Sequence, residues 1–79
     1  SSPYSLTEMV TCIYTGTKGY LDSLPVEKVT PFLAGLRNYV ASNSKQIETI
    51  LNETKTFTPE AESLLQKAIT EYLTEFKAS

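Results

Sequence analysis

Apolar side chains recur every three or four residues along most of the chain, and this spacing predicts helices rather than strands. A first helix is predicted from Ser5, because Ser5-Leu6-Thr7-Glu8 forms a capping box in which serine and glutamate each satisfy a backbone amide. Its end is expected at Gly19, a residue suited to a left-handed cap. The predicted buried stripe of this helix comprises Leu6, Met9, Val10, Ile13 and Thr17.

A second helix is predicted to begin at Pro31 with Thr30 as its N-cap, because proline fits the first helical position without losing a hydrogen bond. Residues 25–29 are expected to form a separate helical turn. Residues 42–44 end the second helix, and Ser44 is predicted to cap a short third one. The buried residues expected are Phe32, Leu33, Leu36, Tyr39 and Val40 in the second helix and Ile47, Ile50 and Leu51 in the third.

A fourth helix shows the widest apolar stripe. Thr58-Pro59 repeats the start signal, and Glu60 and Glu62 lie in the first turn, where the helix dipole favours anions. Because no strand-like alternation competes, the sequence predicts an all-α fold, a small antiparallel helical bundle of about four helices with short connections. The predicted stripe of the fourth helix is Ala61, Leu64, Leu65, Ala68, Ile69, Tyr72, Leu73 and Phe76.

Composition removes several kinds of chemistry from consideration. The 79 residues carry seven Lys and Arg against nine Asp and Glu, a net charge of -2. A protein that neutralises several phosphates is distinctly basic, so nucleic acid is not an expected partner. The absence of histidine removes the commonest acid–base residue, and one cysteine allows no internal disulfide. No apolar run approaches the length of about 20 residues that spans a bilayer, so membrane insertion is not expected.

Short motifs favour structural roles. Residues 16–19 resemble a phosphate-binding loop but lack the Lys-Ser/Thr ending and a preceding strand, so a helix ending in glycine is predicted. Cys12 has no predicted cationic neighbour and is expected to be buried and unreactive. Glu60 and Glu62 are two residues apart, so they point in different directions on a helix and do not predict a catalytic pair. Three tyrosines are expected at the core edge with hydroxyls in water: Tyr14, Tyr39 and Tyr72.

Asp22-Ser23-Leu24 supports an alternative hypothesis. It resembles the site of acyl carrier proteins, small acidic helical domains in which such a serine carries phosphopantetheine at the start of a helix. Ser23, however, follows Gly19 by only four positions, which leaves no room for the long loop of those proteins, and Pro25 replaces a usually polar residue. A structural connector is therefore predicted here. No catalytic, cofactor-binding or metal-binding residue is predicted anywhere in the sequence.

A longer similarity covers nearly the whole sequence. Residues 13–24, Ile-Tyr-Thr-Gly-Thr-Lys-Gly-Tyr-Leu-Asp-Ser-Leu, closely resemble the C-terminal helical domain of the alpha subunit of F-type ATP synthase. The resemblance continues at Val29 and at residues 32–33, 36–37 and 39–40. It resumes at residues 54–58 and 60–65 and reaches Phe76. Its runs Tyr-Thr-Gly-Thr and Thr-Lys-Thr-Phe-Thr look most like chloroplast or cyanobacterial members.

The resemblance implies that residues 1–79 are the C-terminal helical segment of such a subunit, part of a domain rather than a complete one. The family's nucleotide-binding core, which binds ATP or ADP and Mg²⁺, lies upstream, so no site residue carries over to this segment. The implied role is structural, with packing at the membrane-facing end of the alpha/beta hexamer around the central stalk. The implied partners are the remainder of the alpha subunit, the beta subunits and the gamma subunit.

The resemblance also implies a location. The expected location is the surface of an energy-transducing membrane. The stromal face of the chloroplast thylakoid or its cyanobacterial equivalent is favoured, and the mitochondrial or bacterial inner membrane is the alternative. If preceding helices of the domain are absent, part of the apolar stripes is expected to be exposed, and an exposed patch above a few hundred Å² favours self-association. The isolated protein is therefore expected to be marginally stable or oligomeric.

Overall fold

A computed structural model describes residues 5–78, and every regular element in that range is helical. These elements confirm the predicted all-α bundle of four helices. In sequence order they are α1 (Leu6–Thr17), a 3₁₀ turn (Tyr20–Ser23), α2 (Val26–Asn43), α3 (Lys45–Thr54) and α4 (Pro59–Ala78).

Both ends of α1 follow the sequence signals. The Glu8 amide donates to Ser5 Oγ at 3.2 Å, and the Ser5 amide donates to Glu8 Oε1 at 3.1 Å, which completes the capping box. At the other end the Lys18 amide donates to the Tyr14 carbonyl at 3.0 Å, and Gly19 follows with φ of 80°. A side chain is disfavoured at that left-handed φ, so glycine ends the helix here, as predicted.

The predicted start of α2 is wrong. The helix begins at Val26, after Pro25 at the N-cap position, and Pro31 lies inside it. Pro31 cannot donate to the carbonyl of Glu27, four residues earlier, so one helical hydrogen bond is missing. Glu27 lies in the first turn, where the backbone adjusts most easily, and proline's fixed φ is itself helical. A proline therefore permits a helix start without requiring one, and two predicted pieces form one helix of 18 residues.

α3 begins where the sequence predicted, but the capping hydrogen bond expected there is absent. Ser44 is the N-cap residue of α3, but its side chain accepts no capping hydrogen bond. At the other end Lys55 has φ of 57°, the only positive φ outside glycine in residues 5–78. The Ala61 amide donates to Thr58 Oγ1 at 3.1 Å, so the predicted cap of α4 is confirmed.

The core lies where α2, α3 and α4 turn their apolar stripes toward one another. α1 packs against α2 and α3, and α4 packs against the same two helices. The predicted stripes of the last three helices are confirmed, since their central residues are buried and the rest half-buried. The buried apolar residues are Tyr14, Phe32, Leu36, Val40, Ile47, Leu51, Ala61, Leu65, Ala68 and Ile69.

Gly35 of α2 lies close to the side chain of Tyr72 on α4. A Cβ atom at this position would overlap the hydroxyl of Tyr72 and lie 2.8 Å from its Cζ atom. Three aromatic rings surround the Tyr72 ring, with centroid distances of 5.4 Å to Phe32, 5.3 Å to Tyr39 and 6.0 Å to Phe76. Glycine is therefore required at position 35 by the space between the two helices.

Candidate interaction surface

The orientation of α1 is the largest difference between sequence and structure. Four of the five residues of its predicted buried stripe are exposed: Thr17 and three apolar residues, with exposed fractions of 39% for Leu6, 38% for Met9 and 69% for Ile13. The fifth, Val10, is half-buried. We call the four apolar residues, Leu6, Met9, Val10 and Ile13, the α1 face. The side of the helix that meets the core instead carries Thr7, Thr11, Tyr14 and Thr15.

Two of the three buried threonines of α1 bond their hydroxyl groups within the helix. Thr11 Oγ1 donates to the Thr7 carbonyl at 2.7 Å, and Thr15 Oγ1 donates to the Thr11 carbonyl at 2.6 Å. A buried hydroxyl without a partner is costly, but a hydroxyl bonded to the preceding helical turn is not, and its methyl group can then pack as an apolar atom. α1 therefore has two sides that can be buried, and only the threonine side is covered in residues 5–78.

Tyr14 joins α1 to α4. Its hydroxyl donates to Glu62 Oε2 at 2.9 Å and accepts from Gln66 Nε2 at 2.7 Å. Its ring packs edge-on against Phe57, with centroids 5.4 Å apart. The side chain is 8% exposed, so the prediction that its hydroxyl lies in water is wrong. Glu62 was expected only to favour the start of α4, and the sequence gives no signal of its bond to a residue 48 positions away.

We expect Tyr14→Phe to lower the free energy of unfolding by about 0.5–1.5 kcal/mol, the usual net value of a hydrogen bond. The loss stays at the low end because Gln66 is exposed and Glu62 half-buried, so both can bond to water in the variant. Urea unfolding measures the change. Tyr20→Phe is the matched control, since it also removes one phenolic oxygen in the same aromatic group, and it is expected to change stability by less than about 0.5 kcal/mol.

Tyr14→Phe should also change how the free energy of unfolding depends on pH. Burial raises the pKa of the Tyr14 phenol above its ordinary value of 10.0; the Gln66 hydrogen bond opposes that rise and the Glu62 carboxylate adds to it. Because the folded pKa exceeds the unfolded one, this stability is present below pH 10 and is lost as pH rises further. As pH rises through this range, the free energy of unfolding should fall less steeply in Tyr14→Phe than in wild type. Parallel curves for the two proteins would contradict this assignment.

An apolar groove continues the α1 face toward the loop before α4. It has a volume of about 290 Å³ and includes Val10 and Ile13 of that face. Lys18 lies at this groove with its Nζ atom 5.7 Å from the centroid of the Tyr14 ring, where a cation is attracted to the aromatic face. The groove and the α1 face together form one surface suited to packing against an apolar partner. The lining residues are Val10, Ile13, Tyr14, Thr17, Lys18 and Phe57.

The cysteine has a cationic neighbour that the sequence did not predict. Arg37 Nη1 donates to Cys12 Sγ at 3.5 Å, and Arg37 Nε lies 3.9 Å from Glu8 Oε2. Cys12 is half-buried rather than buried. The expectation of a buried cysteine without a nearby cation is therefore wrong. Together these three residues link the outer edge of α1 to α2.

The residues of the carrier hypothesis lie in the connector between α1 and α2, residues 18–25. Ser23 ends the 3₁₀ turn, its Oγ donates to the Tyr20 carbonyl at 3.4 Å, and α2 begins only at Val26. Ser23 therefore does not start a helix. In this it differs from the serine of a carrier protein, which stands at a helix start. In residues 5–78 no group of three or more acidic or cysteine residues is placed to hold a metal ion. Within the same range no helix combines the length and apolarity needed to cross a membrane.

Comparison with models of protein families shows which family this protein belongs to. The family model for the C-terminal domain of the ATP synthase alpha/beta subunits matches residues 1–72. The match runs from the first residue through α1, the 3₁₀ turn, α2 and α3 and ends within α4, at Tyr72. It therefore includes the α1 face, the groove beside it and most of the core. This protein belongs to the family of C-terminal domains of the ATP synthase alpha and beta subunits.

Proposed function

We propose that this protein is a non-catalytic structural segment of the alpha subunit of a proton-translocating F-type ATP synthase. Family membership supports a subunit segment, and the resemblance of residues 13–24 and 54–58 to alpha subunits favours alpha over beta. In this proposal the segment packs at the membrane-facing end of the alpha/beta hexamer around the central stalk. Its partners are the remainder of the alpha subunit, the beta subunits and the gamma subunit.

The exposed α1 face is the observation that carries the proposal. A helix with one side in the core and an apolar opposite side is suited to a position between two packed layers. In a complex that transmits rotation, such a helix contributes stiffness and contact area rather than chemistry. The complex makes or hydrolyses ATP coupled to proton transport, and nucleotides and Mg²⁺ are bound by other parts of the subunit. The location that follows is peripheral, on the stromal face of the thylakoid or its cyanobacterial equivalent.

We expect Ile13→Glu to reduce assembly of the subunit into the complex about tenfold. A carboxylate buried at an apolar contact costs at least about 1.4 kcal/mol, which is a factor of ten in affinity. Native gels of complexes formed with the variant subunit measure the effect. Thr70→Glu adds the same charge at an exposed position of α4 and should assemble normally. Normal assembly of Ile13→Glu would contradict the proposed role of the α1 face.

Two further readouts test finer parts of the proposal. In sedimentation experiments the isolated wild-type protein should self-associate, whereas Ile13→Glu should remain a helical monomer, because only the variant has a charge on the α1 face. Cross-links from this segment to the gamma subunit in the intact complex would support the position at the stalk. Cross-links only to subunits far from the stalk would contradict it.

A further inference from the structure

A second pocket lies where the connector before α2 meets the last turn of α4. Its volume is about 400 Å³. Three lining residues are apolar, two are lysines and one is a serine. Pockets of this size accommodate a few side chains or a small ligand. The lining residues are Ser23, Leu24, Pro25, Lys28, Phe76 and Lys77.

The charge in this pocket is opposite to that of the whole protein. The protein has a net charge of -2, yet two of its seven cationic residues, Lys28 and Lys77, line one pocket that includes no carboxylate. They come from different helices, α2 and α4, so the fold rather than the local sequence places them together. Within residues 5–78 neither ammonium group lies within 4.0 Å of a carboxylate oxygen. Two exposed ammonium groups beside an apolar wall attract an anion that also carries an apolar group.

The apolar wall distinguishes between kinds of anion. Phe76 is half-buried, and part of its ring is fixed by the core, with a centroid distance of 5.2 Å to Phe32. Leu24 is also half-buried, and Val26, which directly follows the lining residue Pro25, is 88% exposed. A bare phosphate would use the lysines and leave this wall in water. A peptide segment with a carboxylate beside an aliphatic or aromatic side chain would use both.

We propose that this pocket binds an acidic segment of a neighbouring protein, with one or two carboxylates at Lys28 and Lys77 and an adjacent apolar residue against Leu24 and Phe76. The inference rests on the charge and shape of the pocket, and it holds for whichever assembly contains this protein. It adds a second contact surface, distinct in chemistry from the wholly apolar α1 face. The two surfaces have no lining residue in common.

Zero-length cross-linking of the intact assembly tests the proposal. A carbodiimide joins a lysine amine to a carboxylate that contacts it, and mass spectrometry identifies both partners. We expect cross-links from both Lys28 and Lys77 to one acidic segment of another protein with an apolar residue beside the acid. Lys55, exposed and outside the pocket, is the internal control. Coupling at Lys28 and Lys77 no greater than at Lys55, or only to carboxylates of the same molecule, would overturn the proposal.

Charge variants provide the quantitative test. A peptide copied from the cross-linked segment should bind Lys28→Gln/Lys77→Gln about two- to thirtyfold more weakly than wild type, the range for two exposed ion pairs. Lys45→Gln/Lys55→Gln removes the same charge elsewhere and should bind as wild type does. A peptide with serine in place of its apolar residue should also bind more weakly. Equal binding by the two double variants would overturn the proposal.

Other anions give distinguishable results. If inorganic phosphate displaces the peptide as effectively as an equal concentration of free peptide does, the pocket is a simple anion site and the proposal is wrong. The same holds if the lysines are needed only for sedimentation with phosphatidylglycerol vesicles. An outcome in which the protein is absent from ATP synthase but still forms the predicted cross-links elsewhere would contradict the proposed function and support this pocket.

Discussion

Phe32→Ala is expected to lower the free energy of unfolding by about 3–5 kcal/mol, the range for removing a fully buried phenylalanine. Phe32 is fully buried on α2 and packs against two rings of α4, with centroid distances of 5.4 Å to Tyr72 and 5.2 Å to Phe76. Small natural domains are stable by only about 5–15 kcal/mol, so the variant should lose a large fraction of its stability. Circular dichroism during urea unfolding measures the loss.

Val26→Ala is the matched control for this prediction. It also removes methyl groups from α2, but Val26 is 88% exposed, so its stability change should stay within about 0.5 kcal/mol. Phe32→Leu keeps most of the apolar volume and should lie between the two. A loss below about 1 kcal/mol in Phe32→Ala would mean that α2 and α4 do not share the aromatic core described above.

Gly35→Ala is expected to destabilise the protein by about 1–2 kcal/mol, although the same change in an open helix stabilises by up to about 1 kcal/mol. The added methyl group would overlap the Tyr72 hydroxyl, and that ring cannot move freely because Phe32 and Tyr39 hold it. The helices must therefore move apart or the ring must leave its place. Thermal unfolding gives the sign directly.

Gly16→Ala separates this steric effect from helix propensity. Gly16 lies in α1, and the only atom near an added Cβ would be Leu21 Cδ1 at 3.9 Å, an ordinary contact. This variant should gain up to about 1 kcal/mol. In the double variant Gly35→Ala/Tyr72→Phe part of the loss should be recovered, since the closest overlap involves the hydroxyl oxygen. Equal stabilisation by Gly35→Ala and Gly16→Ala would show that the α2–α4 contact is looser than described.

Local signals predicted much of the fold. The capping box at Ser5, the left-handed Gly19 and the cap at Thr58 depend on residues within four positions of one another, so the sequence alone determines them. The stripes of α2, α3 and α4 were also predicted correctly, because their apolar sides face the core. The start of α2 was wrong because a proline near a helix start does not by itself exclude helix before it.

The surfaces were harder to predict because they depend on contacts far apart in sequence. Hydropathy placed Ile13 in the core, but the threonine side of α1 is covered because its hydroxyls bond within the helix. The bond from Tyr14 to Glu62 joins residues 48 positions apart. Lys28 and Lys77 likewise belong to one pocket only because α2 begins where α4 ends. No periodicity in the sequence indicates such pairs.

The threonine hydrogen bonds of α1 allow this helix to fold before the protein meets any partner. Because Thr11 and Thr15 need no group from another protein, α1 can take its place on the bundle as soon as the polypeptide folds. Ile13, with 69% of its surface exposed, then remains in water until a neighbour covers it. We therefore expect the folded but unassembled protein to be prone to aggregation for as long as this side of α1 stays uncovered.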